Sequence, residues 1–344
     1  MRLIKKNIFF IALITYLRRV KFEFFCIVND VNYIYKNRKL ISQIKKNSLE
    51  KTLLVCSLDF YKNKRWQVVS QTELWHQFSN QENVIFCGSI ISYYLYGKSF
   101  KNIVSLEPRY NAPTISFSSN HNKVIVFVSD SHTKGWLPKC IKNSHVTDIL
   151  TPYKKNLLDT GFTEGLEASS VHSFPWCVSN NIINKNIITS TRNDVLGFGQ
   201  TGSKIYDLRE WSFNTGELIS FDYAGSGNKK YIGDDFFYWL RTFDACVVGV
   251  SSTPLYNCTV AKFFEIPSQG LLLFAFPSED LSDFGFIDGE NCIYINKYNF
   301  KSKIQNFKDF PLDYLEIRSK GLILIKDNHT VNCRVKYIQH LLNS

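Results

Sequence analysis

At 344 residues the chain exceeds the size at which one hydrophobic core stops growing, so two domains are expected. Its 44% apolar and 15% aromatic content is that of a globular chain and excludes the disordered and low-complexity classes. The formal charge of +11 suits anionic small molecules or an anionic membrane surface, whereas no recognition motif accompanies it, so no specific nucleic-acid partner is expected.

The first 50 residues hold the densest run of Lys and Arg, around the apolar stretch Ile8–Leu17. That stretch is too short to span a bilayer, and no small-residue cleavage site follows it. Two readings stay open. Residues 1–21 lie on a membrane interface with Arg18, Arg19 and Lys21 toward anionic headgroups, or they form a helix packed on the core.

From about residue 52, short apolar runs alternate with helical patterns, the signature of a parallel sheet built from βαβ units. Strands are predicted at 53–56, 84–87, 103–106, 124–128 and 148–150, with helices at 70–79, 89–97, 136–143 and 153–159. The polar stretch Cys177–Asn186 interrupts this rhythm as a linker. The alternation then restarts, with strands at 194–199, 218–222, 245–250, 271–276 and 292–295 and helices near 203–212, 232–242 and 260–268. Over 330–342, Val331, Val335, Ile338 and Leu342 fall on one helical stripe.

Nine cysteines are scattered singly with no CxxC pair. They read as small hydrophobes in a reducing, cytoplasmic compartment, and no metal site is expected.

Three segments carry candidate chemistry. Asp130 and His132 follow the strand 124–128, at the strand end where crevice residues sit; either suits a general base, and an Asp–His pair capping the next helix is the structural alternative. Glu107, after the strand 103–106, and His172 are weaker candidates. Gly197-Phe198-Gly199-Gln200-Thr201-Gly202 is a GxGxxG string between a strand and a helix, and Asp222 lies twenty residues past Gly202. That spacing is compatible with an NAD(P) site in an oxidoreductase, although the charged helix after it fits tight helix-on-sheet packing poorly. Finally, Ala261–Gly270 puts Glu265 on a short helix that ends at Pro267 and Gly270, and the buried run 271–276 follows.

Lys262, Phe264, Glu265, Pro267 and Gly270 together resemble the donor-binding segment of GT-B glycosyltransferases, in particular the CgeB-like group and the group 1 glycosyl transferases. Tyr206 and Arg209 match a further Tyr-Pro-x-Arg element of those relatives, with Asp207 in place of the proline. Asn257 stands where many retaining relatives carry a second Glu.

The resemblance implies an α/β fold of two Rossmann-like domains facing across a cleft. An acceptor-binding domain would cover 51–178 and a nucleotide-sugar domain 187–330, with a helix at 331–344 crossing back to the first. It implies metal-independent sugar transfer with no cofactor beyond the nucleotide-sugar co-substrate. Gly199, Gly202, Arg209, Lys262 and Glu265 would hold the donor, Arg209 would stabilise the leaving diphosphate, and Asp130 or His132 would serve an acceptor that is a glycan, lipid or protein. Asn257 leaves a third reading, a non-catalytic protein of this fold that binds a glycan or partner.

Overall fold

A computed structural model describes residues 2–36, 38–39, 42–43, 51–57, 69–108, 111–130, 135–187, 193–222, 231 and 233–344. A long helix α1 (Arg2–Lys36) precedes the first sheet. That sheet comprises β1 (Thr52–Val55), β2 (Val84–Cys87), β3 (Asn102–Leu106), β4 (Lys123–Phe127), β5 (Asp148–Thr151) and β6 (Val171–Ser173). Helices α2 (Val69–Ser79), α3 (Ile90–Leu95), α4 (Leu137–Asn143) and α5 (Lys154–Asp159) connect its strands.

The second sheet comprises β7 (Val195–Gly199), β8 (Ile219–Asp222), β9 (Ala245–Val248), β10 (Leu272–Ala275) and β11 (Ile293–Tyr294). Its helices are α6 (Asp207–Phe213), α7 (Asp234–Leu240), α8 (Lys262–Ser268), α9 (Phe300–Asp309) and α10 (Leu315–Asn328), and α11 (Val331–Asn343) follows them.

All pairings within both sheets are parallel, which explains the continuous apolar runs: Leu53, Leu54, Val55, Leu272, Leu273 and Phe274 are buried because helices cover both sheet faces. The strand orders are β2-β1-β3-β4-β5-β6 and β11-β10-β9-β7-β8. Both are doubly wound. The helices change face between β1 and β3 in the first sheet and between β7 and β9 in the second, and the C-terminal strand ends at such a switch point form a crevice.

Helix α11 crosses back. Val331, Val335, Ile338 and Leu341 form its buried stripe and pack in one core with Leu74, Trp75 and Phe78 of α2; Leu341 takes the fully packed place expected of Leu342, which is only partly buried. Thr330 caps the helix by accepting from the Cys333 N–H, and Gln77 of α2 and Gln81 just after it bond to Asn332 and Gln339. The predicted linker is anchored rather than free, since Val178 pairs with Thr330 as an isolated bridge and donates to the His329 carbonyl at 2.9 Å. Below it, Arg334 donates to the Pro175 carbonyl and to His329 Nδ1. Burial, helped by Arg334, lowers His329 to about 3, so the imidazole is neutral.

In the second sheet the buried Arg318 of α10 donates to the Gly270 carbonyl at 2.8 Å and meets Asp244 at 3.2 Å, tying the starts of β9 and β10 to that helix. Removing one partner of a buried pair leaves a charge in low dielectric. Asp244→Ala is expected to cost about 3–5 kcal/mol in denaturant unfolding, and a loss under about 1 kcal/mol would show that this pair behaves like a surface one.

Candidate functional site

The end of β7 is the crowded point of the second sheet. Gly199 has φ +124, and a Cβ there would meet the Lys262 ammonium and Arg209 Nη1, the latter at 3.0 Å. Lys262, the first residue of α8, donates Nζ to the Phe198 carbonyl and lies 4.1 Å from the centre of the Phe198 ring. Arg209, on α6, donates Nη1 to the Gln200 carbonyl at 2.8 Å and lies over Tyr206 at 4.5 Å. Two cations from two helices thus meet on one strand end at the β7/β9 switch point. Arg209 is buried, and burial pulls its guanidinium down from the usual value against Tyr206, Cys246 and Asp222.

Glu265 is buried one turn beyond Lys262, a spacing of three that puts the two side chains on neighbouring positions of the helix surface. Pro267 sits inside the last turn of α8 rather than ending it; the helix runs to Ser268, and Gly270 at φ +80 makes the reversal into β10. Asn257 donates to the Pro277 carbonyl at 3.1 Å, tying the loop after β9 to the loop after β10.

The dinucleotide reading fares differently. Thr201 engages both oxygens of Asp222, through its N–H at 3.2 Å and its hydroxyl at 2.5 Å, so the acid expected on a ribose already closes the glycine loop. Gly202 has φ +75 at the turn, with open space where a Cβ would stand.

In the first sheet Glu107 and Asp130, each following a strand, both adopt left-handed backbone at φ 44 and φ 46. Glu107 is buried and accepts from the Ser129 N–H and hydroxyl and from Asn111 at 3.1 Å, so it fixes the turn on which the exposed Asp130 is presented. His132 lies outside the described residues. His172 is not at this edge. It bonds to Asp148 at 2.7 Å and to Tyr337 of α11, a structural tie.

The charge of Asp130 acts on two buried groups, Tyr153 and Cys258. Burial raises the Tyr153 hydroxyl, with Cys258 and then Asp130 adding to the rise, and burial followed by Asp130 and Asp280 raises the Cys258 thiol to about 12. Tyr153 accepts from the Trp176 indole at 3.0 Å and belongs to the core cluster that also holds Cys258, Phe263 and Phe264. Nearby, α5 docks on the second sheet: Lys155 pairs with Asp283 at 2.9 Å, and Asn156 donates to the Leu255 carbonyl at 2.6 Å. Asp280 accepts from the Lys155 N–H at 3.4 Å. No local sequence rule signals the Asn156 and Asp280 contacts, whose partners lie 99 and 125 residues apart.

No protein-family model matches the chain, and no curated protein matches it in sequence. Solved structures do match. Anabaena Alr3699/HepE in complex with UDP-glucose is similar at TM-score 0.53 and 10% identity, over 85% of this chain and 99% of that one. An alpha-glucosyltransferase solved with UDP and a 13-mer DNA gives 0.52 and 9%, over 85% and 99%. TarM gives 0.50 and 12% over 73% of this chain, which spans 57% of TarM's length. At these identities the likeness is one of fold: two Rossmann-like domains in the GT-B arrangement.

Asp280 supplies a pH test of the interdomain contact. Burial raises its carboxyl from 3.8 to about 6, against the opposing pull of the Lys155 N–H and ammonium. Between those values the folded protein binds more protons than the unfolded chain, so this group's contribution to stability falls as pH rises through the window. Asp280→Asn is expected to be more stable than the wild type above pH 6, with the difference shrinking toward pH 4. Thermal midpoints across that range check this, and a constant difference would remove the titration from Asp280.

Proposed function

We propose that the protein transfers a sugar from a nucleotide-sugar donor to a hydroxyl acceptor. The observation that carries the reading is the meeting of Gly199, Arg209 and Lys262 at the β7/β9 switch point of a GT-B fold. A diphosphate needs backbone approach and fixed positive charge, and this strand end combines both. Glu265, beside Lys262, is suited to accept from ribose hydroxyls. Gly202 completes the loop.

In this reading residues 187–330 hold the donor and 51–178 the acceptor. The bond between the sugar's anomeric carbon and the diphosphate oxygen breaks while the acceptor oxygen bonds that carbon. The acceptor's proton passes to Asp130, on the turn after β4, or to His132. Charge accumulating on the departing diphosphate is met by Arg209 and Lys262, with no metal ion or further cofactor in the step. HepE was solved with UDP-glucose, so a UDP-sugar is the first donor to try.

A thermal-shift panel of uridine, guanosine, cytidine and nicotinamide nucleotides tests the class. One nucleoside diphosphate should stabilise the protein, by about 2.7 kcal/mol at a hundredfold excess over Kd. Stabilisation by a nicotinamide dinucleotide alone would restore the oxidoreductase reading, for which the Thr201–Asp222 contact is unfavourable. Donor binding with neither transfer nor hydrolysis would favour the non-catalytic one.

Two substitutions separate binding from turnover. Arg209→Ala should lower kcat about 10²–10³-fold with a smaller effect on donor affinity, since diphosphate charge grows as the bond breaks. Glu265→Gln should weaken donor binding by about 1–3 kcal/mol. Calorimetry and turnover assays, with and without a chelator, check both; an unchanged donor Kd in the second variant would remove Glu265 from the ribose, and loss of turnover with the chelator would bring in a metal.

A further inference from the structure

Helix α1 carries two stripes. The inner one holds Cys26, Asp30, Glu23 and Tyr33, and it seats the helix on the first sheet's edge. Asp30 accepts from the Ser89 and Ser92 hydroxyls, Glu23 accepts from the Thr114 N–H at 2.9 Å, and the Tyr33 ring meets Phe86 with centroids 5.3 Å apart. The outer stripe, Leu17, Val20, Phe24, Val28, Val31 and Tyr35, recurs at three- and four-residue steps and is apolar and exposed, with Phe24 and Tyr35 each at 66%. It runs about 27 Å at 1.5 Å per residue.

The charges are divided between these stripes. The only carboxylates in Arg2–Lys36 are Glu23 and Asp30, and both are turned to the protein. Arg18, Lys21 and Lys36 stand exposed along the outer stripe, and Arg19 is withdrawn from it into a pair with Glu23. An apolar strip bordered by cations, with no acid beside it, is complementary to an anionic lipid surface. A second copy of this face would bring the same cations together with no carboxylate to answer them. No helix among the described residues is long and apolar enough to cross a membrane.

We propose that the outer face of α1 is a membrane-docking surface that lies in the interface plane of an anionic bilayer. The aliphatic and aromatic side chains enter the acyl boundary, and Arg18, Lys21 and Lys36 meet lipid phosphates. The inner stripe keeps the first sheet attached, so the bound helix holds the whole chain at the lipid surface. This inference stands on α1 alone and does not depend on the reaction assigned above.

Flotation of the full chain with phosphatidylcholine vesicles containing about three parts in ten of phosphatidylglycerol tests it. The wild type should float with these vesicles, and far less with phosphatidylcholine alone or at high salt. The double variant Phe24→Ser/Val28→Ser should bind at least about tenfold more weakly while keeping its thermal midpoint, because both side chains are exposed. Arg18→Glu/Lys21→Glu should lose binding without loss of apolar area. The proposal is overturned if the wild type does not float, if the double variant floats equally, or if light scattering shows a dimer that the double variant abolishes.

Discussion

The close approach of two cations to the Phe198 and Gln200 carbonyls, around the end of β7, constrains everything near it. Lys262 reaches Phe198 and Arg209 reaches Gln200 only because Gly199 has no side chain and adopts φ +124. An Ala there would meet the Lys262 ammonium and face a backbone conformation that L-residues rarely adopt. The contact also fixes the start of α8, whose first residue is Lys262, and hence the placement of Glu265 one turn later. Gly270 at the other end of α8 gives its carbonyl to Arg318, which is held by Asp244 at the start of β9. The loop end and the opposite end of the second sheet are therefore braced through one short helix.

The halves are joined by packed aromatic side chains and by polar contacts of two kinds. At the crossing, α11 completes the first sheet's core while Arg334 and His329 satisfy the carbonyls of Pro175 and Phe284. At the strand ends, Lys155, Asn156 and Asp280 make a more exposed set of contacts. The first set is buried and contains a neutral histidine, so pH near neutrality leaves it unchanged. The second includes a carboxyl raised to about 6 and an ion pair half open to water. The crossing is the fixed joint, and the contacts at the strand ends are the ones that solution conditions alter.

All strands but the three-residue β6 were legible because parallel strands covered on both faces need unbroken apolar runs, and the ends differ from expectation by only a residue or two at β1, β7 and β10. The crossing stripe of α11 was legible for the same reason. Helix α1 was not: the apolar stretch at 8–17 marked only part of a helix running from Arg2 to Lys36. Its inner face carries Glu23 and Asp30 while its outer face is apolar, the reverse of the pattern by which a surface helix is read. Glu107 illustrates a different limit. Its left-handed backbone accompanies hydrogen bonds to Ser129, 22 residues away, and no local rule assigns such a conformation to glutamate.

The glycine string after β7 shows how a spacing can be right while its chemistry differs. In a dinucleotide site the three glycines serve a tight turn, backbone approach to the pyrophosphate and helix-on-strand packing. Here Gly197 makes room for Phe213 and Leu218, which would stand 2.8 and 2.9 Å from a Cβ. Gly199 makes room for two cations, and Gly202 turns the chain at φ +75. Asp222, at the end of the neighbouring strand β8, is bound by Thr201, so it organises the loop from inside instead of waiting at its rim. What distinguishes the two sites is therefore the side chains that converge on the middle glycine. A nearby Arg and Lys make that strand end attractive to a terminal diphosphate, whereas the acid a dinucleotide ribose would need is already engaged.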